Sequence, residues 1–178
     1  FYHSLGTALG LPTGTVNYRY NSPEKNFFYD FPQWASLLAQ DVTTPAQVKI
    51  DVENHFDNVS RKLTSKVTVT ATTDIVRPLR ITVMLTEDHI MDLQLTPGLH
   101  DPIMYDHKHV LREILTSETG DALTGSMKQG EAVVRTYDFT LPAEDGWWNA
   151  DNCHIVAFVN WGTNDTQETL QAQEKSIK

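Results

Sequence analysis

Cysteine is almost absent from this chain: Cys153 is the only one in 178 residues. No internal disulfide can form, so the fold must hold by packing alone. Positive charge is also scarce, with 14 lysines and arginines against 23 aspartates and glutamates and a formal net charge of -9. A nucleic-acid backbone needs a concentrated basic surface, and this balance excludes that partner. No apolar run is long enough to cross a bilayer as a helix. No secretory leader is visible, although Phe1 is not a natural first residue and the chain reads as a processed product or a piece of a longer one. No serine stands in a Gly-x-Ser-x-Gly turn, and Cys-x-x-Cys pairs and phosphate loops are missing. The expectation is a protein that is not an enzyme and takes no cofactor.

What is present is material for a core. Hydrophobic residues make up 40% of the chain and charged residues 21%, the balance of an ordinary globular domain. The chain changes character at Thr43-Thr44-Pro45. Before it the sequence is aromatic-rich and irregular, with a short strand expected over Thr15 to Arg19. Asp30 can cap a helix near 31–41, with Pro32 in its first turn and Trp34, Leu37 and Leu38 on one face. One strand and one helix cannot close a core, so this segment has to pack on something else.

After residue 45 apolar residues recur at every second position, the period of a strand with one buried face. Val48, Ile50 and Val52 alternate with Lys49, Asp51 and Glu53, and Val67, Val69 and Ala71 alternate with threonines. The cleanest run is Leu79, Ile81, Val83 and Leu85. Further strands are expected over His109 to Leu115, Glu131 to Leu141, Cys153 to Trp161 and Thr169 to Ile177. Cys153 to Trp161 is apolar on both sides, the mark of a central strand; Thr169 to Ile177 is polar, the mark of an edge. About seven strands separated by Gly, Asn and Asp turns predict a two-sheet antiparallel sandwich of immunoglobulin type.

Three constellations could carry chemistry. Tyr105-Asp106-His107-Lys108-His109 sets two imidazoles at i and i+2, which in a strand would share one face. Such a pair can supply two zinc ligands, but the others must come from elsewhere. We read it as a hydrogen-bonded pair and a candidate binding surface, with no metal. Glu87-Asp88-His89 could join Asp74, Asp121 or Asp145 around calcium, yet no loop has the dense acid spacing of a dedicated site. Trp147-Trp148 is a pair of loop aromatics that could stack on a sugar or peptide. Cys153 reads as a small buried hydrophobe.

Several segments in order resemble the Omp28 family of outer-membrane lipoproteins. They are Leu11-Pro12-Thr13-Gly14 with Asn17 and Arg19, Thr86-Glu87-Asp88 with Gln94, and His107-Lys108-His109-Val110-Leu111-Arg112. Gly120-Asp121-Ala122, Val156-Ala157-Phe158-Val159 and Gln171-Ala172 complete the set. The resemblance implies a thioredoxin-like half joined to an immunoglobulin-like half. Residues 1–44 would be the back end of the first, lacking its front, and 45–178 the second. Pro12 would then be the cis-proline of the thioredoxin-like part. The resemblance further implies the bacterial cell envelope, outer-membrane-associated or periplasmic, with membrane attachment only through an anchor absent from this chain. The expected function is a non-catalytic interaction or adhesion module whose partner is another protein or a cell-surface component. The alternatives are a sugar- or peptide-binding module using the loop tryptophans, and the remnant of an envelope thiol-disulfide protein.

Overall fold

The structure, a computed structural model, describes residues 13–96, 98, 100–143, 148–162 and 167–178. In chain order it runs β1 (Thr13–Gly14), β2 (Tyr29–Asp30), α1 (Phe31–Asp41), β3 (Val48–Phe56), β4 (Lys62–Ala71), β5 (Leu79–Glu87) and β6 (Ile90–Gln94). There follow β7 (Ile103–His107), β8 (Val110–Ile114), β9 (Asp121–Thr124), β10 (Ala132–Thr140), β11 (Cys153–Trp161) and β12 (Thr169–Ser176).

The period-2 runs assemble into two antiparallel sheets. One has the order β10-β4-β3; the other has the order β12-β11-β5-β8, with β9 also on β5. Labelled A, B, C, C′, E, F and G in chain order, β3, β4, β5, β8, β10, β11 and β12 give the sheets E-B-A and G-F-C-C′. That is the immunoglobulin arrangement. The inner faces carry the oily residues: Val48, Ile50, Leu63, Val67 and Val69 from one sheet, and Leu79, Ile81, Val83, Leu85, Ile155, Ala157 and Val159 from the other. Nine residues of β5 pair with β11, which sets Val83 beside Ala157 and Leu85 beside Ile155. Strand β11 is central and β12 is an edge. Across the open side, Asn54 donates to the Ser176 carbonyl at 2.9 Å and ties β3 to β12.

The N-terminal segment packs on the outer face of the five-stranded sheet. The Tyr18 ring stacks on Phe158 with centroids 6.1 Å apart. The Thr169 N–H donates to the Asn17 carbonyl at 2.9 Å, and Arg19 pairs with Glu168 at 3.2 Å and with Asp41 at the end of α1. The expected strand over Thr15 to Arg19 does not form. Asn17 and Tyr18 both take left-handed backbone (φ 49° and 50°), which turns the chain there, and the short strand falls instead on Thr13–Gly14. Helix α1 starts as its cap predicts, with Gln33 accepting the Asp30 N–H at 3.0 Å. Its inward side is Trp34 and Leu37, both half-buried. Leu38, expected with them, is exposed.

Ile81 and Val83 are fully buried. Ile81→Val removes one methylene and should cost about 1 kcal/mol in a urea melt. Val83→Asp places an unpaired charge between the sheets and should leave no cooperative transition. A Val83→Asp chain that melts like its parent would mean that this face is not the core.

Candidate functional site

The feature that alternation did not reveal lies between β5 and β8. These strands pair, with Glu87 opposite Val110. The chain between them does not turn back but runs on as a second ladder, β6 against β7, in which Ile90 faces His107 and Gln94 faces Ile103. Together they make one long hairpin whose outer half leaves the sandwich. The ladder extends about 17 Å at the usual rise per residue. Each of its strands pairs only with the other among the described residues.

The joint between the two halves is built from the histidine constellation. His89 and His109, one on each side, both have left-handed backbone (φ 58° and 52°), which side chains with a Cβ rarely adopt. Two contacts hold them. The His109 N–H donates to Asp88 Oδ1 at 2.6 Å, and His89 Nδ1 lies 3.0 Å from Asp106 Oδ2. Farther along the same side, Glu174 on β12 meets His154 Nδ1 at 2.9 Å and His109 Nε2 at 3.4 Å. The expected common face for His107 and His109 is therefore wrong. Strand β7 ends at His107, and the left-handed turn at His109 swings the second imidazole toward Asp88 and Glu174. His107 stays on the ladder, edge-on to Tyr105 with centroids 5.0 Å apart. His100 and Asp101 lie near the far end of the hairpin. Among the described residues no group of three or more His, Cys, Asp or Glu side chains is arranged to hold a metal ion.

Glu87 and Asp88, read together as an acidic pair, are parted by the strand. Asp88 points to the other side and is half-buried. Glu87 continues the series Leu79, Ile81, Val83, Leu85 and points inward, only 3% exposed. Its Oε1 accepts the Asn149 N–H at 2.8 Å, and its Oε2 lies 3.2 Å from Arg112 Nε. The Arg112 guanidinium sits 4.1 Å above the Trp148 ring, which leans on Phe139. Trp148 thus closes the end of the sandwich rather than standing clear of it. Trp147 and Pro12 lie outside the described residues, as does Asp145. Cys153, paired across from Glu87, is buried, and burial with the Glu87 charge beside it pushes its thiol up to about 12. Such a thiol is protonated and inert at neutral pH. Period 2 carried one step past Leu85 would have found Glu87.

The remaining acids of the calcium reading are spent locally. Asp74 holds Lys128 and the Gln129 N–H, each at 2.9 Å, and Asp121 accepts the Ser117 N–H at 3.0 Å.

Along the hairpin the side chains are apolar and open. Met91 is 58% exposed, Leu93 60%, Leu95 67% and Met104 57%. Leu93 and Met104 are directly opposite, and alternation puts Met91 and Leu95 on the same face as Leu93. The other face carries Asp92, Gln94, Ile103, Tyr105 and His107. A projecting β-ribbon with an uncovered apolar face is an unusual thing for a sandwich to keep, since exposed ladders invite pairing.

The fold and this projection define a class: an immunoglobulin-type sandwich carrying a β-arm, with its imidazoles and acids at the arm's root. The chain belongs to the family described as outer membrane protein Omp28, whose model matches residues 2–178. That places it in the bacterial cell envelope. Among solved structures it is similar to HBP35 of Porphyromonas gingivalis, at 17% identity and a TM-score of 0.73, over 98% of this chain and 55% of that one. It is also similar to a domain of the outer membrane lipoprotein Omp28 from the same organism, at 18% identity and a TM-score of 0.51, over 76% of this chain and 91% of that one. The chain spans about half the length of HBP35. No curated protein matches it.

Two outcomes test this site. Arg112→Ala strips the counter-charge from an interior carboxylate and the cation from Trp148, and should cost about 3 kcal/mol in denaturant unfolding. A loss below about 0.5 kcal/mol would show that Glu87 does not need Arg112. The second concerns pH. The His109 N–H holds the Asp88 carboxyl below its ordinary 3.8, with the charges of His109, His154 and His89 adding to it. A lowered folded value means that the bond stabilises above the unfolded pKa and is lost as pH falls through the folded one. Asp88→Asn should therefore be less stable than the parent at neutral pH, with the gap closing below about pH 4. A gap independent of pH would remove the assignment.

Proposed function

We propose that this chain is a non-catalytic interaction module of a cell-envelope protein and that the β6–β7 arm is its contact element. The observation that carries the reading is the open apolar ribbon, Met91, Leu93, Leu95 and Met104, on a rigid sandwich. A rigid scaffold with one uncovered, side-chain-rich projection is how recognition surfaces are commonly presented. The titratable groups that chemistry would need are engaged in holding the arm: Asp88 by His109, Asp106 by His89, and Glu174 by His154 and His109. They lie on an open surface, where a reacting group is not shielded from water. Cys153 is protonated and enclosed, which favours interaction over thiol exchange. The sugar- or peptide-binding alternative has less support, because the Trp148 ring is taken up by Arg112 and Phe139. In this reading residues 1–44 are the trailing part of a thioredoxin-like half, and its described part, 13–44, braces the outer sheet face.

A photo-crosslinking residue at Leu93, compared with one at Val134 on the opposite sheet, tests the reading in the envelope of the producing cell. Val134 is 47% exposed and away from the arm. A discrete protein adduct at Leu93 and none at Val134 is expected. Equal labelling at both, or none at Leu93, would overturn it.

A further inference from the structure

We infer that the partner of the arm is an extended protein segment, apolar and basic by turns, that adds to the outer edge of β6 as a third strand. The inference rests on the arm being the contact element and names what that element takes.

Backbone is the first argument. A two-stranded ribbon standing alone is marginal, and a third strand stabilises it. The outer edge of β6 is open among the described residues. Its Leu93 N–H goes to no third strand and is taken at 2.7 Å by the carboxylate of Asp92 beside it. An incoming carbonyl can accept that N–H instead, which frees Asp92 for a cation. In strand addition the main-chain hydrogen bonds supply affinity, and side chains at alternate positions select the partner. The exposed apolar side chains of the arm therefore do not carry the contact alone.

The pleat dictates the pattern of the partner. On a strand laid beside β6, one set of alternate residues shares the face of Met91, Leu93 and Leu95, and the other set shares the face of Asp92. The first set has to be apolar, because it covers side chains that are 58–67% exposed. The second set meets an acidic ribbon. From Asp88 to His109 there are four aspartates and one lysine, Lys108 at the root. Asp88 and Asp106 are engaged at the joint by the His109 N–H and by His89, so Asp92 is the acid that β6 itself offers. A basic residue opposite Asp92 is attracted, and an acidic one is repelled. Charge also sets aside two other occupants. A second copy of this chain brings the same acidic ribbon, and an anionic lipid surface brings more negative charge.

The full chain and two short labelled peptides test this. A peptide of alternating Lys and Val should bind saturably at or below about 100 µM in fluorescence polarisation, and one of alternating Glu and Val should not bind at about ten times that concentration. The bound Lys/Val peptide should slow hydrogen exchange at the Leu93 amide and leave the rate at Met104, on the opposite edge, unchanged. Asp92→Asn should weaken binding about threefold. Asp138→Asn removes the same charge from β10 in the other sheet and should leave binding unchanged. No Lys/Val binding at about 1 mM, equal binding of both peptides, equal loss in the two variants, or an unprotected Leu93 amide overturns the inference. If the peptide fails while Leu93 still crosslinks to a protein in the envelope, strand addition falls and the interaction reading stands.

Discussion

One strand carries the architecture. Strand β5 must keep Leu79, Ile81, Val83 and Leu85 out of water, and only the facing sheet can do so. Its nine-residue pairing with β11 fixes the register, and a slip of one residue would turn every one of those side chains outward. The same strand then leaves the sandwich as β6. The arm is therefore aimed by the best-determined piece of backbone in the molecule, and its direction follows from core packing. The price of that continuity appears at Glu87, where alternation drives a carboxylate inward. Arg112 answers it from β8, the returning strand of the same hairpin, and Trp148 covers Arg112. Because β8 can reach Glu87 only while it pairs with β5, the interior charge also holds the root of the hairpin closed.

The joint resolves a geometric conflict. A two-stranded ribbon twists more strongly than a wide sheet, so a ladder running from one into the other has to change its twist. Left-handed backbone at His89 and His109, one on each strand, takes up the difference. Asp88 and Asp106 fasten the two sides from opposite directions, one gripping a backbone N–H and the other an imidazole. The arm is thereby stiffened at its base, which lowers the ordering cost of any contact made farther out.

The sandwich was legible in the sequence because its strands alternate cleanly and its turns carry Gly, Asn and Asp. Cys153 to Trp161 read as a central strand and is one. The arm was not legible. In Ile90-Met91-Asp92-Leu93 and Ile103-Met104-Tyr105 apolar residues fall on both faces, so no period separates inside from outside. Alternation reports burial, and here there is none to report. The histidines drew attention by composition, but their arrangement depends on Asp88, 21 residues before His109, and on Glu174, from a different hairpin. The left-handed turn at His109 leaves only a faint mark in residue type, since histidine takes that backbone more often than lysine but still uncommonly. Trp148 looked like an exposed anchor because its cover, Arg112, is 36 residues away in sequence.

The molecule's exposed strand edges argue that the apolar arm is retained for contact. Open edges aggregate unless they are blunted, most often by charge. Strand β3 carries Lys49, Asp51 and Glu53; β10 carries Arg135 and Asp138; β12 carries Glu174 and Lys175; β8 carries Arg112 and Glu113. Each of these four strands carries charge along its length. The arm has two unpaired edges and the least protection: no cation, and on its apolar face a single acid occupied by His89. A chain that guards its short edges and leaves its most exposed ladder open is not careless about aggregation. On the proposed reading, the face formed by Met91, Leu93 and Met104 is uncovered in the single chain because its cover comes from outside that chain.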